Sequence, residues 1–316
     1  MKLPRRRRLG SSLAQGLLTG MALGYAYRAA TLVVNARTFP RLDRKHAAVS
    51  PRPKVSLLTP ARDEALNVPK LLGGLLRQGA DEVILLDDHS SDGTGDIARE
   101  LCQGVPGGQV VSGTPLPEGW AGKNWACHQL SQAASGDVLI FVDADVEWKN
   151  GALDALLAEL ERSEADLLSC WPRQNVGSAQ ERLITPLIDL YLLSLLPYPA
   201  MQLPLVATAT AVGQVMVFRR AAYDAVGGHT LVQGRPGRRP VRQAAQGPWL
   251  PGHGVCWAAD VLASGCTTTT PLRSMAMPKA GCLCTATHAW RWPQPWPASS
   301  ACIPSPGCWT FQGRAC

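Results

Sequence analysis

The sequence predicts an α/β fold, with a doubly wound, mostly parallel sheet flanked by helices. A membrane-type helix precedes it and a poorly structured tail follows. Three observations carry this expectation. Apolar runs at residues 55–58, broken only by Ser56, and at 83–86 and 138–142 have the length and composition of buried strands. Segments with helical spacing separate them, so parallel strands joined by helical crossovers are the natural solution. Each run also ends in a polar loop carrying carboxylates, and the C-terminal edge of such a sheet is where ligands bind.

The chain has 316 residues and a formal net charge of +7. That length suits one large domain or two ordinary ones. The charge is concentrated in Arg5-Arg6-Arg7-Arg8 and beyond Val232, where Asp260 is the one acidic residue. The middle is near balance, so no nucleic-acid partner is expected. Only Cys102, Cys127 and Cys170 precede residue 233, ordinary usage for a reduced cytosolic domain. Three regions follow: residues 1–53, 54–232 and 233–316.

In the first region, residues 13–34 are mostly apolar and long enough to span a bilayer, with Arg28, Gln15 and Thr19 as interruptions. A single span or an interfacial helix is the preferred reading, flanked by Arg28, Arg37, Arg41, Arg44 and Lys45. That makes the protein membrane-associated, with its catalytic domain on the cytoplasmic side. A soluble amphipathic helix is the alternative. A cleaved signal peptide fits less well, because Arg28 falls where cleavage is expected. Residues 40–54, basic and punctuated by Pro, form a linker.

The second region opens with the strand 55–60, stopped by Pro60, and the loop Ala61-Arg62-Asp63-Glu64. Residues 67–78 place Val68, Leu71, Leu72, Leu75 and Leu76 at helical spacing. The strand 83–86 ends in Asp87-Asp88-His89-Ser90-Ser91-Asp92-Gly93-Thr94, followed by a helix from about Gly95 to Cys102. A short β signal at Val110-Val111 and a helix over 123–134 lead to the strand 138–142, which ends in Asp143-Ala144-Asp145. Two carboxylates one residue apart repel unless a cation joins them, and hard oxygen ligands suit Mg²⁺ or Mn²⁺ on a diphosphate. Carboxylates at the other strand ends can accept hydrogen bonds from a base or ribose, or cap the following helix. Lys123 follows a Gly-bounded turn at a helix start, where a compact cation and free N–H groups favour phosphate.

These motifs, Thr59-Pro60-Ala61-Arg62-Asp63-Glu64, Asp87 to Thr94, Gly122-Lys123 and Asp143-Ala144-Asp145, occur in an order that resembles the GT-A domain of family 2 inverting glycosyltransferases. The Gly119-Trp120-Ala121-Gly122-Lys123 version is similar to the branch that glycosylates carotenoids and hopanoid-associated lipids. The resemblance covers residues 54–229. It implies a nucleotide-sugar donor, most simply a UDP-sugar, a Mg²⁺ or Mn²⁺ cofactor, and a membrane lipid or isoprenoid acceptor. On it, Asp63, Glu64 and Asp88 hold base and ribose, with Pro60 in the first motif. Lys123 faces phosphate, and Asp143 and Asp145 hold the metal. Gly213 and Gln214 match a pair beside the donor sugar, and Gly227-Gly228-His229 matches a turn near the acceptor.

Residues 181–201 read as a helix that is apolar nearly all round, relieved by Asp189 and closed by Pro197 and Pro199. It is either a core helix or an interfacial element beside the site. Residues 151–163 read as a helix, 165–170 and 213–218 as strands, and 219–226 as a short helix. The chain then departs from the family. The family's base is the Asp of a Glu-Asp pair soon after the Gly-Gly turn, and no Asp or Glu lies between His229 and Asp260. The Gln-x-x-Arg-Trp motif is represented only by Arg291-Trp292. No catalytic base is therefore identified, and a catalytically deficient nucleotide-sugar-binding remnant is the alternative to an active transferase. Residues 233–316 lack Glu, Asn and Tyr and hold seven of the ten cysteines and six of the ten tryptophans. Cys282, Cys284, His288, Cys302 and Cys308 fit no compact zinc spacing. A reading-frame change near codon 232 explains this composition, and it predicts a tail without paired strands.

Overall fold

Alternation along three central strands builds the core. The computed structural model describes residues 6–42, 49–203, 208, 211–233, 253–257 and 262–265. In β1 (Val55–Ala61), β2 (Glu82–Asp87) and β4 (Val138–Val142), successive side chains point to opposite faces of the sheet. Val55, Leu57, Val83, Leu85, Ile140 and Val142 enter one cluster. It is closed by Leu71, Leu72 and Leu75 of α2 (Val68–Leu75) and Leu153, Leu156 and Leu160 of α5 (Ala152–Arg162). Leu58, Ile84, Leu86, Leu139 and Phe141 enter the other, beneath Ala126 and Leu130 of α4 (Gly122–Ala133). Each such side chain, fully removed from water, contributes about 1.5–3 kcal/mol. A sheet with apolar faces on both sides must have helices on both, which accounts for the apolar runs.

The main sheet has seven strands in the order β3-β2-β1-β4-β8-β6-β9. β3 (Gly108–Ser112), β2, β1 and β4 are mutually parallel. β8 (Val215–Arg219) runs antiparallel to both β4 and β6 (Leu167–Trp171), so the sheet is mixed, with a parallel half that carries the loops of interest. α3 (Thr94–Cys102) connects β2 to β3. Pro60 lies inside β1, paired with Leu86, and the strand ends one residue later than its composition suggests.

A second sheet, in the order β5-β10-β7, is built from strands too short to be legible in sequence: β5 (Val146–Trp148), β7 (Arg173–Asn175) and β10 (Leu262–Gly265). β10 pairs antiparallel with β5 and parallel with β7, and β9 (His253–Trp257) pairs parallel with β6. These two strands lie beyond residue 232, in the region expected to lack paired strands. For those residues the pairing weighs against a frame change. The cysteine and histidine positions from 266 onward lie outside the described residues.

The N-terminal α1 (Arg6–Thr38) is long and apolar enough to cross a membrane. The apolar helix expected over 181–201 is divided. α6 (Ala179–Leu193) starts with a capping box in which Ser178 Oγ accepts from Glu181 N and the Glu181 carboxylate accepts from Ser178 N. It ends before Pro197, and α7 (Tyr198–Met201) is a separate turn. None of the α6 residues is buried, so it is not a core helix.

Candidate active site

The expected residues gather along one sheet edge, where β1, β2 and β4 end. After β1, Asp63 adopts a left-handed conformation (φ 54°), and Asp63 Oδ1 accepts from Ser91 N at 2.9 Å. Asp92 accepts from Ala65 N and from Thr94 N, each at 3.0 Å, which ties the first loop to the second. These hydrogen bonds keep the Asp92 carboxyl below its usual range, the Thr94 side chain foremost. Asp63 and Asp92 therefore shape the loops; Asp63 is exposed with its carboxylate engaged by the second loop.

Asp87 and Asp88, adjacent in sequence, take different work. Asp87 Oδ1 accepts from Ser90 N at 3.1 Å, and its other oxygen fills the space over Gly95, where any Cβ would lie 2.2 Å away. The Asp88 side chain is only 17 % exposed, with Arg62 at 3.7 Å and His89 at 3.4 Å. A Cβ on Gly122 would sit 3.7 Å from Asp88 Oδ2, so the start of α4 lies against this carboxylate. Trp120, Trp125 and His128 pack ring against ring about that helix start, with centroids 5.1–5.4 Å apart. Trp125 Nε1 donates to Thr114 O at 3.2 Å.

This packing aims Lys123 at the end of β4. Lys123 Nζ donates to Asp143 Oδ1 at 2.5 Å. Burial raises the Asp143 pKa, and the Lys123 charge opposes the rise. The Asp145 carboxyl is pushed up to about 6, by burial first and then by the negative charges of Asp143 and Glu64. Glu64, oriented by Asn67 Nδ2 at 2.7 Å, thus belongs to the same field. Asp143 N donates to Gln214 O at 2.9 Å, and Gln174 Nε2 donates to Gln214 Oε1 at 3.3 Å. Gln214, which follows Gly213 just before β8, therefore borders Asp143, and β7 reaches Gln214 through Gln174.

Among the described residues, no three His, Cys, Asp or Glu side chains are grouped to hold a metal by themselves. Asp143 and Asp145 supply two hard carboxylates, partly buried and mutually repelling. That donor set fits Mg²⁺ or Mn²⁺, which complete their shells with substrate phosphate and water.

Two contributors were not legible in sequence. Arg62 and Gln174 are ordinary polar residues until the fold brings them to Asp88 and Gln214. His229, in the turn matched by the resemblance, gains its surroundings only from the fold. It stacks edge-on against Phe141 with centroids 4.9 Å apart, and its Nδ1 lies 2.6 Å from Tyr223 Oη. Its pKa falls to about 4, through burial first and then the nearby charges of His128 and Lys123.

The family model for Glycosyl transferase family 2 matches residues 56–227, more than half of the chain. The chain belongs to this family. Over 170 residues it is 35 % identical to a 4,4'-diaponeurosporenoate glycosyltransferase of Staphylococcus haemolyticus, covering 52 % of this chain and 43 % of that protein. It is 33 % identical over 122 residues to the protein of the same name from Staphylococcus aureus, covering 37 % and 31 %. The matched part thus spans less than half the length of either relative. The fold resembles that of a mannosyltransferase from Pyrobaculum calidifontis solved with GDP-Man and Mn²⁺. The TM-score is 0.54 at 18 % identity, covering 82 % of this chain and 69 % of the other. The GT-A fold expected from the motifs is the fold found.

Proposed function

We propose that this family 2 protein transfers a sugar from a nucleotide-sugar donor, a UDP-sugar, to a membrane lipid or isoprenoid acceptor with inversion. The observation that carries this reading is the joint placement of Lys123, Asp143, Asp145, Glu64 and Gln214 at the end of β4. Asp88 stands just past the end of β2, on the far side of β1 from β4, where it can accept from base or ribose hydroxyls. Lys123 faces the diphosphate, and Asp143 and Asp145 would hold Mg²⁺ or Mn²⁺. A divalent cation there would neutralise charge on the departing nucleoside diphosphate. When donor phosphate arrives, the Lys123 ammonium exchanges its carboxylate partner for phosphate oxygen, and both Asp carboxylates become available as oxygen ligands.

The isoprenoid acceptor is supported by the names of the staphylococcal relatives, and the membrane by α1. The cytoplasmic side is supported by the buried cysteines Cys102, Cys127 and Cys170, which form no disulfide. One observation favours the second reading, a nucleotide-sugar-binding remnant: the absence of any carboxylate between His229 and Asp260. Calorimetric titration with UDP in the presence of Mn²⁺ tests the donor site, and no binding removes both readings. Incubation with radiolabelled UDP-sugars and a carotenoid acid or polyprenol then separates them. Labelled lipid establishes the transferase; binding with neither lipid labelling nor donor hydrolysis establishes the remnant.

A further inference from the structure

α6 is amphipathic in the reverse sense for a soluble domain. At 100° per residue, Leu183, Ile184, Leu187, Ile188, Leu190 and Tyr191 span an arc of roughly 160°. All six face outward, with Leu183 69 % exposed, Leu187 57 % and Leu190 51 %. The half-buried positions Glu181, Thr185 and Asp189 lie on the arc turned toward the protein. An exposed apolar arc of this width marks an interaction surface.

This surface is joined to α1. Asn35, 3 % exposed near the end of α1, donates through Nδ2 to Leu193 O at 2.7 Å and Leu196 O at 3.0 Å. Its Oδ1 accepts from Tyr198 N at 2.6 Å. One buried amide thereby satisfies the last carbonyl of α6, a carbonyl in the connection to α7 and the first N–H of α7. Tyr27 Oη donates to Leu195 O at 3.1 Å, and the Arg28 guanidinium stands 4.5 Å over the Tyr191 ring. Leu13, Leu17, Leu18, Met21 and Leu23 on α1 are likewise exposed. Arginines lie at both ends of α1 (Arg6, Arg7 and Arg8; Arg37 and, just beyond, Arg41), which complements an anionic headgroup layer.

We propose that α6 lies in the lipid–water interface of an anionic bilayer, its outward apolar arc among the acyl chains, held to the bilayer-anchored α1 by the Asn35 clamp. At its other end, α6 follows β7, whose Gln174 touches Gln214 beside Asp143. The helix thus forms a ledge leading from the membrane to the site, and that delivery step rests on the lipid-acceptor reading above.

The test uses the full chain on vesicles of phosphatidylglycerol and phosphatidylethanolamine carrying a diazirine phospholipid, with labelled peptides located by mass spectrometry. Label is expected within residues 183–191 as well as within α1. Leu187→Glu with Ile188→Glu should lose the α6 label while keeping the α1 label and vesicle flotation. Asn35→Leu should lose it with the α6 sequence intact. Label on α1 alone overturns the proposal, as do chain-to-chain crosslinks through α6 that exclude lipid, which would show a second copy covering it. UDP binding with Mn²⁺, measured on the same variants, should not change. Its absence in the unmodified chain would sink the donor reading and leave the α6 result standing.

Discussion

Lys123 Nζ and Asp143 Oδ1 meet at 2.5 Å across 20 residues of sequence, joining the start of α4 to the end of β4. The pair gives a half-buried ammonium a partner and opposes the rise that burial causes in the Asp143 pKa. Lys123→Met should weaken UDP binding in the presence of Mn²⁺ by roughly tenfold or more, since hydrogen bonds to charged groups contribute about 1.5–3 kcal/mol. Calorimetry checks this; an unchanged dissociation constant would place Lys123 away from the phosphates.

Asp145 should make metal stabilisation depend on pH. Its pKa is raised to about 6 in the folded protein from 3.8, by burial and then by Asp143. The folded state therefore holds this proton more tightly than the unfolded chain. The resulting stability is complete below the unfolded pKa and is lost as pH rises through about 6. Mn²⁺ must displace that proton, so the rise in melting temperature with Mn²⁺ should be larger at pH 7.5 than at pH 5. Asp145→Asn should abolish the difference, measured by differential scanning fluorimetry at both pH values.

The turn at Gly228 and His229 should be intolerant of a side chain and sensitive to acid. Gly228 has φ 52°, and a Cβ there would lie 2.4 Å from the Tyr223 ring. Gly228→Ala should cost on the order of 2 kcal/mol in chemical denaturation. His229 titrates near 4 because burial, with His128 and Lys123, disfavours its cation. Its contribution is complete above the unfolded value of 6.5 and is lost as pH falls toward 4. His229→Phe should therefore flatten the fall in stability between pH 6.5 and 4; an unchanged slope would show that His229 is not buried.

Glu82 fastens three segments at the opposite, N-terminal edge of the sheet. Its carboxylate accepts from Ser56 Oγ at 2.6 Å, from Ser135 N at 2.8 Å and from Ser135 Oγ, with Lys54 Nζ at 3.6 Å. Burial works against the charge, yet the Ser135 and Ser56 hydrogen bonds hold the pKa down at about 2. This contribution is present above 4.5 and lost as pH falls through about 2. Glu82→Gln should destabilise the domain by about 1–3 kcal/mol at pH 7 in urea unfolding, and the loss should shrink toward pH 2.

A frame change near codon 232 requires one of the two other reading frames downstream to encode a Glu-Asp pair followed by Gln-x-x-Arg-Trp. If neither frame does so, residues 233–316 are the native continuation. The pairing of β9 with β6 and of β10 with β5 and β7 already points that way.

The parallel half of the fold was legible because buried strands announce themselves locally. The runs 138–142 and 83–86 are apolar on both faces, and the acidic loops follow directly. β5, β7 and β10 were not, because three- and four-residue strands carry too little pattern to rise above loop composition. The order of β8 and β6, and their direction against β4, depends on crossovers that no local spacing encodes.

By itself the sequence singled out the carboxylates and the lysine proposed for the donor site. Strand ends and helix starts are local features, and their order along the chain identified the family. Only the tertiary structure decided which of those residues touch. It divided Asp87 from Asp88, engaged Asp63 in a loop hydrogen bond, and set Asp143 between Lys123 and Gln214. It also decided that α6 faces outward. The composition of residues 179–193 suits a core as well as a bilayer, and only packing shows which side of an apolar helix lacks a protein partner.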